Sequence, residues 1–117
     1  MMDFPVPNVW LASGHTDMRK SIDALALLAQ SIIGNGAVTE HVFVFCNRGG
    51  DKIKILYWDR NGFWLLYKRL ERGRFRWPTK GMTQSISIDR RQLAWLLEGL
   101  EIGQPRALKQ VNARKVA

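Results

Sequence analysis

The stretch "KIKILYWDRNGFWLLYKRL", Lys52 to Leu70, constrains the fold more than any other part of the chain. Two runs rich in β-branched and aromatic residues flank Asn61-Gly62. Such a pair marks a hairpin, because both central residues of a type I′ turn need positive φ. With Asn61-Gly62 as the two-residue loop, Lys54, Leu56 and Trp58 share a face with Leu65, Tyr67 and Arg69. Ile53, Ile55 and Tyr57 share the other with Trp64, Leu66, Lys68 and Leu70. Both faces are largely apolar, whereas a sheet wet on one side shows one polar face. The hairpin is therefore either covered on both sides or uses one face as a contact surface. A helix fits one face, and the other has no obvious cover in a chain of 117 residues.

Helical spacing supplies the covering elements. In "GHTDMRKSIDALALLAQSIIGNG", Met18, Ile22, Leu25, Ala29 and Ile32 recur at three- and four-residue steps with Leu28 beside them. Thr16 or Asp17 is the expected cap, and Gly34 and Gly36 the expected stop. A second helix is predicted in "SIDRRQLAWLLEGL", with Asp89 and Gln92 spaced as a capping box, Leu93, Leu96, Leu97 and Leu100 as its stripe, and Gly99 or Gly103 as its stop. "VWLAS" at 9–13 and "HVFVFC" at 41–46 read as strands, and "QSISI" at 84–88 as a last, short one. The order predicts an α+β fold: a single compact domain over 1–103, a small antiparallel sheet of four or five strands with a central β-hairpin, and two packed helices. Residues 104–117 form a basic tail of net +4, expected to be mobile or ordered only on binding.

The net charge of +8 is unevenly placed. Residues 1–47 sum to −2, 48–80 to +7 and 81–117 to +3, so the middle third favours polyanions. One cysteine, Cys46, excludes an internal disulfide and a cysteine-cluster zinc site, and fits a reducing compartment. No signal peptide is evident, and apolar runs such as Leu25 to Ala29 are far too short to span a bilayer, so a cytoplasmic protein without membrane contact is expected.

Catalytic patterns are missing. His15, His41 and Cys46 form no close-spaced ligand pair, and Ser13, Ser21 and Ser31 lie in no nucleophile elbow. "NRGGDK" at 47–52 matches neither phosphate-loop pattern and reads as a tight turn. No lysine has an acid two residues before it, and nothing in the spacing of Asp17, Asp23, Asp51, Asp59 and Glu71 points to a metal site. The chain reads as a non-enzyme that needs no cofactor.

What remains is "FWLLYKRLERGRFRWP", Phe63 to Pro78, with five aromatic and five basic residues in sixteen positions. In an extended segment Arg72, Arg74 and Arg76 share one face, with Phe75 and Trp77 on the other. Guanidinium groups beside rings suit a nucleic-acid backbone and its bases. The same alternation also fits core rings beneath solvated arginines.

The runs "TDMRK" (16–20), "YWDRNGF" (57–63) and "YKRLERGRFRWP" (67–78), with "LAWLLEGLEI" near the end, resemble the small accessory protein (Orf2, or transposase-B type) of the bacterial insertion-sequence-66 family. The resemblance covers roughly residues 5–102, and it transfers no catalytic residues. It implies a protein of a mobile element, acting with another accessory protein alongside a separate DDE-type transposase that carries the strand-transfer chemistry. Two mechanisms then follow. In one, the protein contacts DNA at element ends or target through Arg48, Lys52, Lys68, Arg69, Arg72, Arg74 and Arg76, with Trp77 stacking or wedging. In the other it is a scaffold, pairing as a homo-oligomer or with the transposase through the two-sided apolar hairpin. Arg19 and Lys20 would extend the DNA footprint if they face the same way.

Overall fold

The computed structural model describes residues 8–103. Strand β1 (Val9–Leu11) leads to helix α1 (Ile22–Ile33), one turn of 3₁₀ helix (Val38–Glu40) and strand β2 (Val42–Cys46). Strands β3 (Lys52–Asp59) and β4 (Gly62–Arg69) form the hairpin, and β5 (Ile86–Ile88) precedes helix α2 (Arg90–Leu97). The sheet order is β4-β3-β2-β1-β5. The expected α+β class holds, with one correction to the sheet: it is mixed. β1 and β2 run parallel, because α1 carries the chain back across the sheet between them, as a parallel pair requires.

The hairpin turns one residue earlier than its sequence signal suggests. Asp59 pairs with Gly62, so Arg60-Asn61 is the loop and the register shifts by two. Arg60 takes the positive φ, at 57°, and the Asn61 N–H bonds the Asp59 carbonyl. A shift of two leaves each side chain on its expected face. Those faces make two cores. On one, Leu25 and Ala29 of α1 pack over Phe43, Phe45 and Leu56. On the other, Leu93, Leu96 and Leu97 of α2 join Val42, Val44, Ile53 and Ile55.

The cover that the second face lacks in sequence comes from two sources. One is α2; the other is an irregular strap, residues 70–82, whose Phe75 and Trp77 turn inward beside Ile102. Phe75 donates its N–H to the Gly50 carbonyl at 2.7 Å, and Thr79 is stitched to Ala12 by its hydroxyl at 2.6 Å.

Helix α1 begins later than its predicted caps. Ser21 stands at the N-cap without a side-chain bond, while Thr16 and Asp17 lie in the preceding loop. Long-range bonds hold that loop out of helical register. The Thr16 N–H bonds the Cys46 carbonyl at 2.7 Å, and Lys54 Nζ donates to the carbonyls of Met18 and Lys20 at 2.7 and 2.8 Å. The α2 prediction is met at its start: Asp89 and Gln92 form the reciprocal capping box. Its end is met at the first of its two predicted stops: the helix closes at Leu97, Gly99 takes the left-handed conformation at φ 85° just past the cap, and Leu100 is left half exposed. The predicted basic tail lies outside the described residues.

Candidate nucleic-acid interface

Strand direction gathers the irregular segments. β1, β2 and β4 all point the same way, and β3 and β5 oppose them. The segments 12–21, 47–51 and 70–85 therefore meet at one end of the sheet. Residues 12–21, 47–52 and 69–82 carry nine bases (Arg19, Lys20, Arg48, Lys52, Arg69, Arg72, Arg74, Arg76, Lys80) against Asp17, Asp51 and Glu71.

All three acids are engaged by neighbouring bases, Glu71 by Arg69. Arg19 forks onto Asp17 with contacts of 2.7 and 3.1 Å and also donates its N–H to it. The Arg19 guanidinium bond, then its backbone bond, holds the Asp17 carboxyl down at about 2. Asp51 accepts from Asn47 Nδ2 at 2.8 Å and from Lys52, and its carboxyl is lowered mainly by the Asn47 bond. Between these loops lies an open cleft of about 630 Å³, with His15, Thr16, Met18, Asn47, Arg48 and Lys52 in its walls.

The eight residues singled out in the sequence do not share one role. Arg48 sits on the 47–51 turn, its Nη2 3.2 Å from His15 Nε2. Lys52 opens β3 beside its cross-strand partner Arg69, which pairs with Glu71 at 3.0 Å. Both members of that pair are largely exposed, so the guanidinium is cheaply exchanged for another anion. Arg72 and Arg74 stand exposed on the strap, and Arg76 reaches Glu101 at 3.3 Å. Lys68 points to the other face of the sheet and donates to the Leu97 carbonyl at 2.8 Å, closing the end of α2.

Trp77 is only 8% exposed and Phe75 4%. Of the two readings of the strap, the rings follow the core reading, and Trp77 has no face to offer a base. Its Nε1 has no hydrogen-bond partner among the described residues. Residues 74–77 do alternate as predicted, with Arg74 and Arg76 outward. Arg72 precedes the turn at Gly73, where φ is 75°, and leaves the extended run.

Lys80 and His15 escape a sequence reading. Lys80 Nζ donates to the Arg48 carbonyl, 32 residues away, and His15 meets Arg48 across a similar separation. No local spacing announces either contact. Among the described residues no group of three or more His, Cys, Asp or Glu side chains is placed to hold a metal ion. No helix among them is long and apolar enough to cross a membrane.

Comparison with known proteins places this architecture. An uncharacterised Sinorhizobium fredii (strain NBRC 101917 / NGR234) protein, y4hO, is 40% identical over 98 residues, covering 84% of each chain. A second from the same strain, y4jC, also uncharacterised, is 30% identical over 70 residues, or 60% of each chain. No solved structure matches the chain. The family model described as "IS66 Orf2 like protein" matches residues 7–107, nearly the whole sequence, and the chain belongs to that family.

Proposed function

We propose that this protein is a non-catalytic accessory factor of insertion-sequence transposition that contacts DNA through the basic end of its sheet. The supporting observation is the convergence of three separate segments carrying nine bases and three acids, each acid paired with one of those bases and six bases left in excess. Such an end concentrates positive potential and suits a phosphate backbone. Arg48, Arg72 and Arg74 are its leading contacts, with Lys52, Arg69, Arg76 and Lys80 around them. The DNA is that of the element ends or the target. The partners are a separate DDE-type transposase and the element's other accessory protein, the setting is cytoplasmic, and residues 1–103 are the working domain.

Fluorescence anisotropy with element-end duplex, scrambled duplex and single strand, across salt, tests this. The expected result is affinity that falls linearly in log-log salt, with a shallower slope in Arg48/Arg72/Arg74→Ala by about 0.9 per lost duplex contact. No binding of any DNA form at low salt refutes the reading.

A scaffold role is the alternative, favoured by one feature. β4 is an eight-residue edge strand, and an apolar cleft lined by Ile55, Leu66 and Leu97 runs beside it. Unpaired strand edges are templates for pairing with another chain. A stable oligomer with no DNA affinity would favour that role.

A further inference from the structure

Two large rings stand exposed on β4: Trp64 at 52% and Tyr67 at 56%. They point to opposite faces and have opposite neighbours. Trp64 donates its Nε1 to Asp59 at 3.2 Å, near the hairpin tip. Tyr67 lies two residues from Arg69, and its cross-strand partner is Lys54. Lys52, opposite Arg69, continues the same face.

The Lys54 ammonium sits over the Tyr67 ring, 5.5 Å from its centroid. That ammonium is itself fixed by the Met18 and Lys20 carbonyls, so the cation cannot swing away without breaking two bonds. One side of the ring is thus held against a positive charge, and more than half of the residue remains open to solvent. Tyr67 also packs into neither core.

We propose that Tyr67 is the base-stacking residue of the interface, and that the ligand it serves is an unpaired base of single-stranded or melted DNA. An exposed ring with cations along one edge is what sequence-tolerant single-strand binding requires: the ring takes the base, and Arg69, Lys52 and the 18–20 loop take the flanking phosphates. A base stacked within a duplex offers no free face to such a ring. The role given to Trp77 by its sequence context passes to a residue ten positions earlier. This inference rests on the DNA-contact reading above.

Anisotropy of the full chain with a labelled mixed-sequence single strand and with duplex, across salt, tests it. Tyr67→Ala should bind the single strand about 5- to 150-fold more weakly, the loss of one stacked base, with the salt slope unchanged. Tyr67→Phe should match wild type, because the ring and not the hydroxyl stacks. Trp64→Ala should also match it, its ring lying on the opposite face beside an acid. Fluorescence of a single strand carrying 2-aminopurine, quenched by the wild-type protein and by Tyr67→Phe, reads the stacking directly and does not depend on a truncated variant folding. If Tyr67→Ala binds the strand as well as wild type while Arg72/Arg74→Ala does not, the stacking proposal fails and the DNA reading stands. If Tyr67→Ala instead dissociates an oligomer by light scattering and single-strand affinity is unmoved, Tyr67 belongs to a protein contact and the proposal is overturned. If the wild-type protein binds no nucleic acid, both readings fall.

Discussion

The two ends of the sheet are built from the same strands and held together by different chemistry. At the loop end, side chains donate to main-chain carbonyls: Lys54 to Met18 and Lys20, Thr79 to Ala12, Lys80 to Arg48. At the hairpin end the ties are aromatic. Trp58 and Phe63 meet edge to face at 5.0 Å, Trp64 bonds Asp59, and Trp10 Nε1 donates to His41 Nδ1. The charges differ in parallel. Glu40, Asp59 and Asp89 balance Arg60, Arg90 and Arg91 at the hairpin end, while at the loop end nine bases face Asp17, Asp51, Glu71 and the Glu101 that Arg76 reaches. Irregular backbone needs donors for its carbonyls, and lysine supplies them at long reach. Part of the basic excess is therefore structural, and only the remainder is free to meet a ligand.

The largest expected effect separates the inward and outward sides of the strap. Phe75→Ala should destabilise the protein by about 3–5 kcal/mol in urea unfolding, as core aromatic truncations do. Arg74→Ala should stay within about 0.5 kcal/mol. Equal losses would break the division between core rings and surface arginines.

Binding distinguishes the two ends. Arg72/Arg74→Ala should reduce the log-log salt slope on duplex by about 1.8, two phosphate contacts. Arg60/Arg91→Ala, at the hairpin end, should leave it unchanged. A matching drop from both pairs would mean that net charge, not the loop end, drives binding.

Lys68 sharpens the split between structural and free cations. Lys68→Met keeps the apolar stem and removes the bond to the Leu97 carbonyl, at an expected cost of about 1–2 kcal/mol in thermal or urea unfolding. Its effect on the salt slope should be negligible, and a clear reduction would return Lys68 to the binding surface.

Cys46 closes β2 at the loop end, 1% exposed, and burial pushes its thiol up to about 11 despite the nearby Lys80 charge. The thiol should therefore react with a disulfide reagent at pH 8 only as fast as the protein opens. Because the folded value is raised, the stability linked to it is intact below about pH 9 and declines as pH climbs toward about 11. Cys46→Ser should flatten that alkaline decline in unfolding titrations. Prompt labelling of the native protein would show that β2's end is open.

The smallest effect lies at the hairpin tip. Arg60 holds a φ of 57°, a region that costs an L-residue about 1 kcal/mol. Arg60→Gly should raise stability by up to about 1 kcal/mol, less what the unfolded chain gains in freedom.

Much of the fold is legible in local pattern. The hairpin faces, the α1 stripe of Leu25 and Ala29, and the Asp89–Gln92 box all express short-range rules, and the structure keeps each of them. The start of α1 and the hairpin register depart from their local signals for one reason. Local signals at Thr16, Asp17 and Asn61-Gly62 competed with bonds to β2 and β3 and with a cross-strand pairing at Asp59 and Gly62. Tertiary context overrides propensity where such bonds are at stake.

The candidate site divides in the same way. Residue order alone puts the excess charge in the middle third, alternates arginines and rings along the strap, and leaves both hairpin faces in need of cover. Those are properties of composition and period. The packed fold is what buries Trp77, sets Lys68 against the end of α2, joins the 12–21 segment to the basic turn, and leaves the Tyr67 ring in the open beside the cations. Each of those depends on which strand lies next to which, because burial and charge proximity are set by neighbours dozens of residues away along the chain.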